Sequence, residues 1–191
     1  MNKLLALMLL AIPFTAMAQS AKIKIKNLDK ERAQCWQQYA EGIKRQRQIL
    51  PAILPPLSNG AHDTLTLPVQ LERNTKGEPV DMNYFYGYKG AQPTAEHKSA
   101  AFIYLHGSGP RVAEWATGLK LCNMFNDSPS VYIIPQIPQE GEWYRWYQKS
   151  KQWAWDAMLR CLLARPDIDA SRIYIFGISE GGYGSQRLAS F

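Results

Sequence analysis

The stretch Gly177-Ile178-Ser179-Glu180-Gly181-Gly182 is where this sequence is best equipped to do chemistry. It sets a serine between glycines directly after the β-forming run Arg172-Ile173-Tyr174-Ile175-Phe176, and residues of helical type follow. A strand that turns sharply into a helix at a serine pushes the hydroxyl into the open, and so tight a turn admits only small residues on either side, here Gly177 and Gly181. Ser179 is therefore a candidate nucleophile toward an acyl carbon. Such an attack builds negative charge on the carbonyl oxygen, which preorganised backbone N–H groups must receive; removing one such donor costs about 3 kcal/mol of transition-state stabilisation. A second turn, His106-Gly107-Ser108-Gly109-Pro110, ends the apolar run 100–105 and offers the donors. Gly107 or Ser108 would supply one N–H and Glu180, the residue after the serine, the other.

The elements that must position these turns can be read from periodicity. From Ser99 onward short apolar strands alternate with helical stretches, which predicts a parallel α/β sheet. The strands fall at 100–105, 131–134 and 172–176, with helices over 111–126 and 148–164. Upstream, 64–71 and 82–88 flank Asn74-Thr75-Lys76-Gly77 and read as a β-hairpin. Residues 27–50 carry apolar side chains at three- and four-residue steps and predict an amphipathic helix. Pro51, Pro55, Pro56 and Ser58-Asn59-Gly60 then mark 51–61 as a linker. Between the second parallel strand and its helix, Trp143, Tyr144, Trp146 and Tyr147 crowd one loop. Loops at the carboxyl ends of such strands face ligands, so Trp143 and Trp146 are candidate substrate-binding residues, with packing of the loop onto the core as the competing reading.

The two turns together resemble the α/β-hydrolase superfamily, in particular its exported esterases and prolyl-oligopeptidase-like members. The resemblance runs over residues 80–191 and includes the segment Asp169-Ala170-Ser171-Arg172-Ile173-Tyr174 leading into the elbow. It implies an α/β-hydrolase-type mostly parallel sheet with helices on both faces, with Ser179 as nucleophile and Glu180 and Ser108 or Gly107 as oxyanion donors. His106 would be a structural residue of the oxyanion turn. The implied activity is carboxylic ester hydrolysis through an acyl-serine intermediate, favoured over peptide cleavage, with a non-catalytic binding module on the same fold as the alternative.

The superfamily orders its triad as Ser, then Asp or Glu, then His. Only twelve residues follow Ser179, without histidine or aspartate, and His62, His97 and His106 all precede it. The expectation is an N-terminal fragment whose further strands are missing, with little hydrolysis of its own.

Bulk properties bound the rest. At 191 residues and 46% hydrophobic, the chain is of ordinary globular composition. Residues 1–18 read as a secretory signal ending in Ala16-Met17-Ala18, followed by an N-terminal arm and linker over 19–61 and a partial hydrolase domain over 62–191. The product is expected to be periplasmic or secreted, without a stable membrane anchor, because the apolar stretch is too short for a permanent span. Loss of that signal removes Lys3 and no acid, lowering the net charge from +6 to +5. The basic clusters at Lys22, Lys24 and Lys26 and at Lys44, Arg45 and Arg47 read as solvated faces, so no nucleic-acid partner is expected. Three cysteines, Cys35, Cys122 and Cys161, allow one disulfide and a lone thiol. No two cysteines or histidines stand at ligand spacing, and neither metal nor cofactor is expected. The partner implied is a small-molecule or polymer ester.

Overall fold

The computed structural model describes residues 27–43, 49–67, 80–138, 146 and 152–189. The signal segment, the basic clusters, the hairpin turn at 74–77 and Trp143 lie outside these residues. The chain divides into two compact units, 1–36 and 37–191. The first contributes the opening of helix α1, Leu28–Ile43, whose Leu28 and Trp36 are exposed.

The second unit is built on a five-stranded sheet: β1 (His62–Leu67), β2 (Val80–Lys89), β3 (Ser99–Leu105), β4 (Ser130–Pro135) and β5 (Ile168–Gly177), in the order β1-β2-β4-β3-β5. β2 runs antiparallel to β1 and β4, while β3 is parallel to β4 and β5. Four of the five strands thus point one way. β3 and β4 are buried along almost their whole length, which explains why they read as continuous apolar runs instead of alternating ones.

Helices α2 (Arg111–Met124), α3 (Gln152–Ala164) and α4 (Glu180–Leu188) complete the unit. Side chains of a strand point alternately to the two faces. Ala101, Ile103 and Leu105 of β3 meet Trp155, Met158 and Leu162 of α3 and Leu188 of α4 in one cluster. Phe102 and Tyr104 meet Trp115, Leu119 and Cys122 of α2 in the other. The expected mostly parallel sheet with helices on both faces is the architecture observed. Cys122 and Cys161 fall in opposite clusters, and Cys35, Cys122 and Cys161 are all free thiols. Burial pushes the Cys122 thiol up to about 12.

Three sequence expectations shift. The first helix was expected to reach residue 50; instead Ile49 and Leu50 have left it and are buried in the sheet core. The stretch 51–61 is not a free linker: Leu54 and Leu57 are buried, Tyr88 N–H donates to Pro55 O at 2.9 Å, and a 3-10 turn covers Leu57–Asn59. Apolar side chains spaced between prolines sank into the core although the composition is that of a loop. β5 begins at Ile168, four residues before the expected strand, because Ile168 pairs with Ser99 before a register shift resumes the ladder at Ile173.

Candidate active site

β5 ends at Gly177 and α4 starts at Glu180, so Ser179 occupies the turn between them. Its backbone stands at φ 54° and ψ −118°, and among the described residues no other non-glycine residue has positive φ. L-residues avoid this region because Cβ meets the backbone. What holds the serine there is the turn around it. Gly181 N–H donates to Ile178 O at 2.9 Å and Gly182 N–H to Ser179 O at 2.9 Å, while Ile178 N–H reaches back to Leu105 O at 3.3 Å. The flanking glycines are needed for close approach: a Cβ on Gly181 would overlap the Leu105 carbonyl, and one on Gly177 would lie 2.5 Å from the Gly181 carbonyl carbon.

The second turn lies alongside. A Cβ built on Gly107 would sit 3.6 Å from Ser179 Cβ, so the two glycine-bearing turns face each other across van der Waals distance. Ser108 is exposed and Gly107 buried. Among the described residues neither the Gly107 nor the Ser108 N–H donates a hydrogen bond. Buried backbone donors are almost always paired, so the open Gly107 N–H marks this turn as unusual. Glu114, in the first turn of α2, brings its carboxylate over the same turn, with Oε2 3.2 Å from where a Gly107 Cβ would stand. Nothing in the spacing singled out Glu114.

His106 is fully buried. Its Nε2 accepts from Ile137 N–H at 3.0 Å, which leaves the proton on Nδ1 to be donated to Gly107 O at 2.6 Å. Burial holds its pKa below the ordinary 6.5, with only partial opposition from the Gly107 hydrogen bond and the Glu114 charge. A neutral imidazole with both nitrogens engaged has no lone pair for a serine proton. His62 stands on β1, where it pairs with Phe85 of β2, at the opposite edge of the sheet from β5. His97 precedes β3 and so lies at the end of the sheet away from Ser179, about 20 Å off for a strand of this length. No described histidine reaches the serine.

The expected substrate wall is corrected at Trp146. Its side chain is 0% exposed, its Nε1–H donates to His106 O at 2.8 Å, and its carbonyl accepts from Trp155 Nε1–H at 2.9 Å. The ring meets His106 edge-on at 4.9 Å. An aromatic so enclosed cannot line an accessible surface; the apolar ring is driven beneath the turn at His106 and Gly107, where the one polar atom of the indole finds a carbonyl.

No family model and no curated protein matches this chain. Among solved structures it is similar to esterase 2 of Thermogutta terrifontis phosphorylated by paraoxon, at 16% identity over 65% of this chain and 45% of that one, with a TM-score of 0.43. An S-formylglutathione hydrolase from Agrobacterium tumefaciens shares 17% identity over 67% of this chain and 52% of its own, with a TM-score of 0.44. The carboxylesterase EstE1, cloned from a metagenomic library, shares 18% over 82% and 47%, with a TM-score of 0.40. The chain spans about half the length of each of these structures, and at such overlaps the likeness assigns no activity.

Proposed function

We propose that this chain carries the nucleophile and oxyanion half of a serine hydrolase that cleaves carboxylic esters through an acyl-serine intermediate. Ser179 Oγ attacks the acyl carbon and its proton passes to a base as the new C–O bond forms. The bond to the alcohol breaks as a proton returns to the departing oxygen, and water then releases the acid by the same steps. The N–H groups of Glu180 and of Gly107 or Ser108 receive the charge on the acyl oxygen. The observation that carries this reading is the Ser179 backbone at φ 54°, held against conformational preference beside a turn with open N–H groups. Strain of this kind persists where function requires it.

The acid and the base are assigned to polypeptide beyond the described residues, which makes this chain the N-terminal part of a longer hydrolase. Two observations support that assignment. No described histidine is in reach of Ser179, and among the described residues β5 pairs on one side only, with Tyr174 48% exposed on that strand. An apolar edge strand of this sort invites further pairing. The signal-like composition of residues 1–18 supports a working enzyme outside the cytoplasm.

A nitrophenyl acetate assay with imidazole added as an external base tests the reading. Serine acylation would release a burst of one nitrophenol per folded chain, followed by slow turnover, and Ser179→Ala would remove the burst. A burst of equal size in Ser179→Ala, or no imidazole-dependent reaction in folded protein, overturns it.

A further inference from the structure

We infer that Trp146 is a positioning residue: its indole N–H, by holding the His106 carbonyl, aims the Gly107 N–H into the oxyanion site. The inference rests on the serine-hydrolase reading above. A trans peptide is planar, so its C=O and the following N–H point in opposite directions. Whatever fixes the His106 carbonyl therefore fixes the Gly107 N–H, which belongs to the same peptide plane. Trp146 Nε1–H donates to that carbonyl at 2.8 Å from a fully buried ring. The next plane is held in the same manner, because His106 Nδ1–H donates to Gly107 O at 2.6 Å and so sets the direction of the Ser108 N–H. Two consecutive carbonyls pulled toward the protein leave two consecutive N–H groups turned away from it, and neither donates to any described acceptor.

Trp146 is itself pinned from three sides, which makes it rigid enough for the task. Its carbonyl accepts from Trp155 Nε1–H at 2.9 Å, and the two indoles stand 5.6 Å apart. On the side of α4, a Cβ on Gly184 would come within 2.5 Å of Trp146 Cβ, so the helix that follows Ser179 rests directly on this residue. One side chain thereby references the oxyanion turn and the nucleophile helix to each other. Catalytic hydrogen bonds lose their value when a donor drifts by a fraction of an ångström.

The test compares phosphonylation of Ser179 by a fluorophosphonate with that by its thiono analogue, in which P=S replaces P=O, at alkaline pH and in the full chain. Sulfur accepts hydrogen bonds poorly, so the oxygen-to-sulfur rate ratio reports the oxyanion donors and not the serine. Trp146→Phe keeps an aromatic ring without the N–H and is expected to lower that ratio about tenfold. Replacement of Trp146 by benzothienylalanine, which has the indole shape with sulfur in place of N–H, is expected to do the same with the packing retained. Equal slowing of both probes or an unchanged ratio would show that Trp146 only fills space, and loss of folding with the isostere would show that its N–H bond is structural; each would overturn the inference. Failure of the unsubstituted protein to react at Ser179 with either probe would instead remove the serine-hydrolase reading on which it stands.

Discussion

At the N-terminal ends of the parallel strands, Lys89 Nζ donates to Cys122 O at 2.6 Å, Phe125 O at 2.6 Å and Asp127 Oδ1 at 2.5 Å, and Tyr132 donates to the other oxygen of Asp127. Nearby, Arg165 bonds both Asp167 oxygens, at 2.8 and 2.6 Å, and reaches Pro51 O at 2.7 Å and Ala52 O at 3.1 Å. At the C-terminal ends the pattern reverses: Gly107 and Ser108 keep N–H groups without a described acceptor, and Ser179 sits at φ 54°. A buried charge left unpaired is strongly destabilising, and at the first end both Lys89 and Arg165 are paired with a carboxylate. Under the proposed function, the open donors and the backbone strain of the second end are what a reacting oxygen would use. One end of the sheet is closed by charged pairs, and the other carries the strained turn on which the proposed function rests.

Substitutions at the two ends should separate along that line. The largest effect is expected at Gly181→Ala, whose new Cβ would overlap the Leu105 carbonyl; with backbone as the obstacle, the cost exceeds about 4 kcal/mol, read as loss of folded protein or of a cooperative urea transition. Asp127→Ala comes next, at the other end. It strands Lys89, whose side chain is 10% exposed, and should cost about 3 kcal/mol in urea unfolding without altering the intrinsic reactivity of Ser179.

A pH titration probes His106, the buried residue of the turn beside Ser179. Its folded pKa is depressed by burial, so below the ordinary value of 6.5 the unfolded chain takes up a proton that the folded chain does not. Stability is then level above that pH and falls as pH drops through it, with a slope approaching about 1.4 kcal/mol per unit. His106→Gln should remove that part of the slope; identical pH profiles would show that the imidazole is not held neutral. The smallest effect, and the one of opposite sign, is expected at Ser179→Gly. Relief of the positive φ should raise stability by about 1 kcal/mol while abolishing acylation, seen as a higher Tm in a scanning melt.

How much of this was legible in the sequence follows from the range of the interactions. The elbow and the glycine turn after β3 are local features, each set by a strand running into small residues, and both stand where the pattern put them. The hairpin and the three parallel strands were likewise readable from apolar runs. Trp146 was not: its partner carbonyl is forty residues away, and a run of aromatics in a loop looks the same whether it faces solvent or lies beneath a turn. Nor was the burial of Leu54 and Leu57, which depends on contacts with β2 and on an arginine more than a hundred residues later. Proline-rich composition reports local backbone preference and is silent on where the side chains between the prolines go.

The most direct test of the central claim is to treat the folded chain with a fluorophosphonate at alkaline pH and map the adduct by peptide mass spectrometry. A single phosphonylated residue at Ser179, lost on unfolding in urea before treatment, is the predicted result. Labelling spread over several serines, or unchanged by unfolding, would mean that the strained turn confers no special reactivity and would contradict the assignment of Ser179 as the nucleophile.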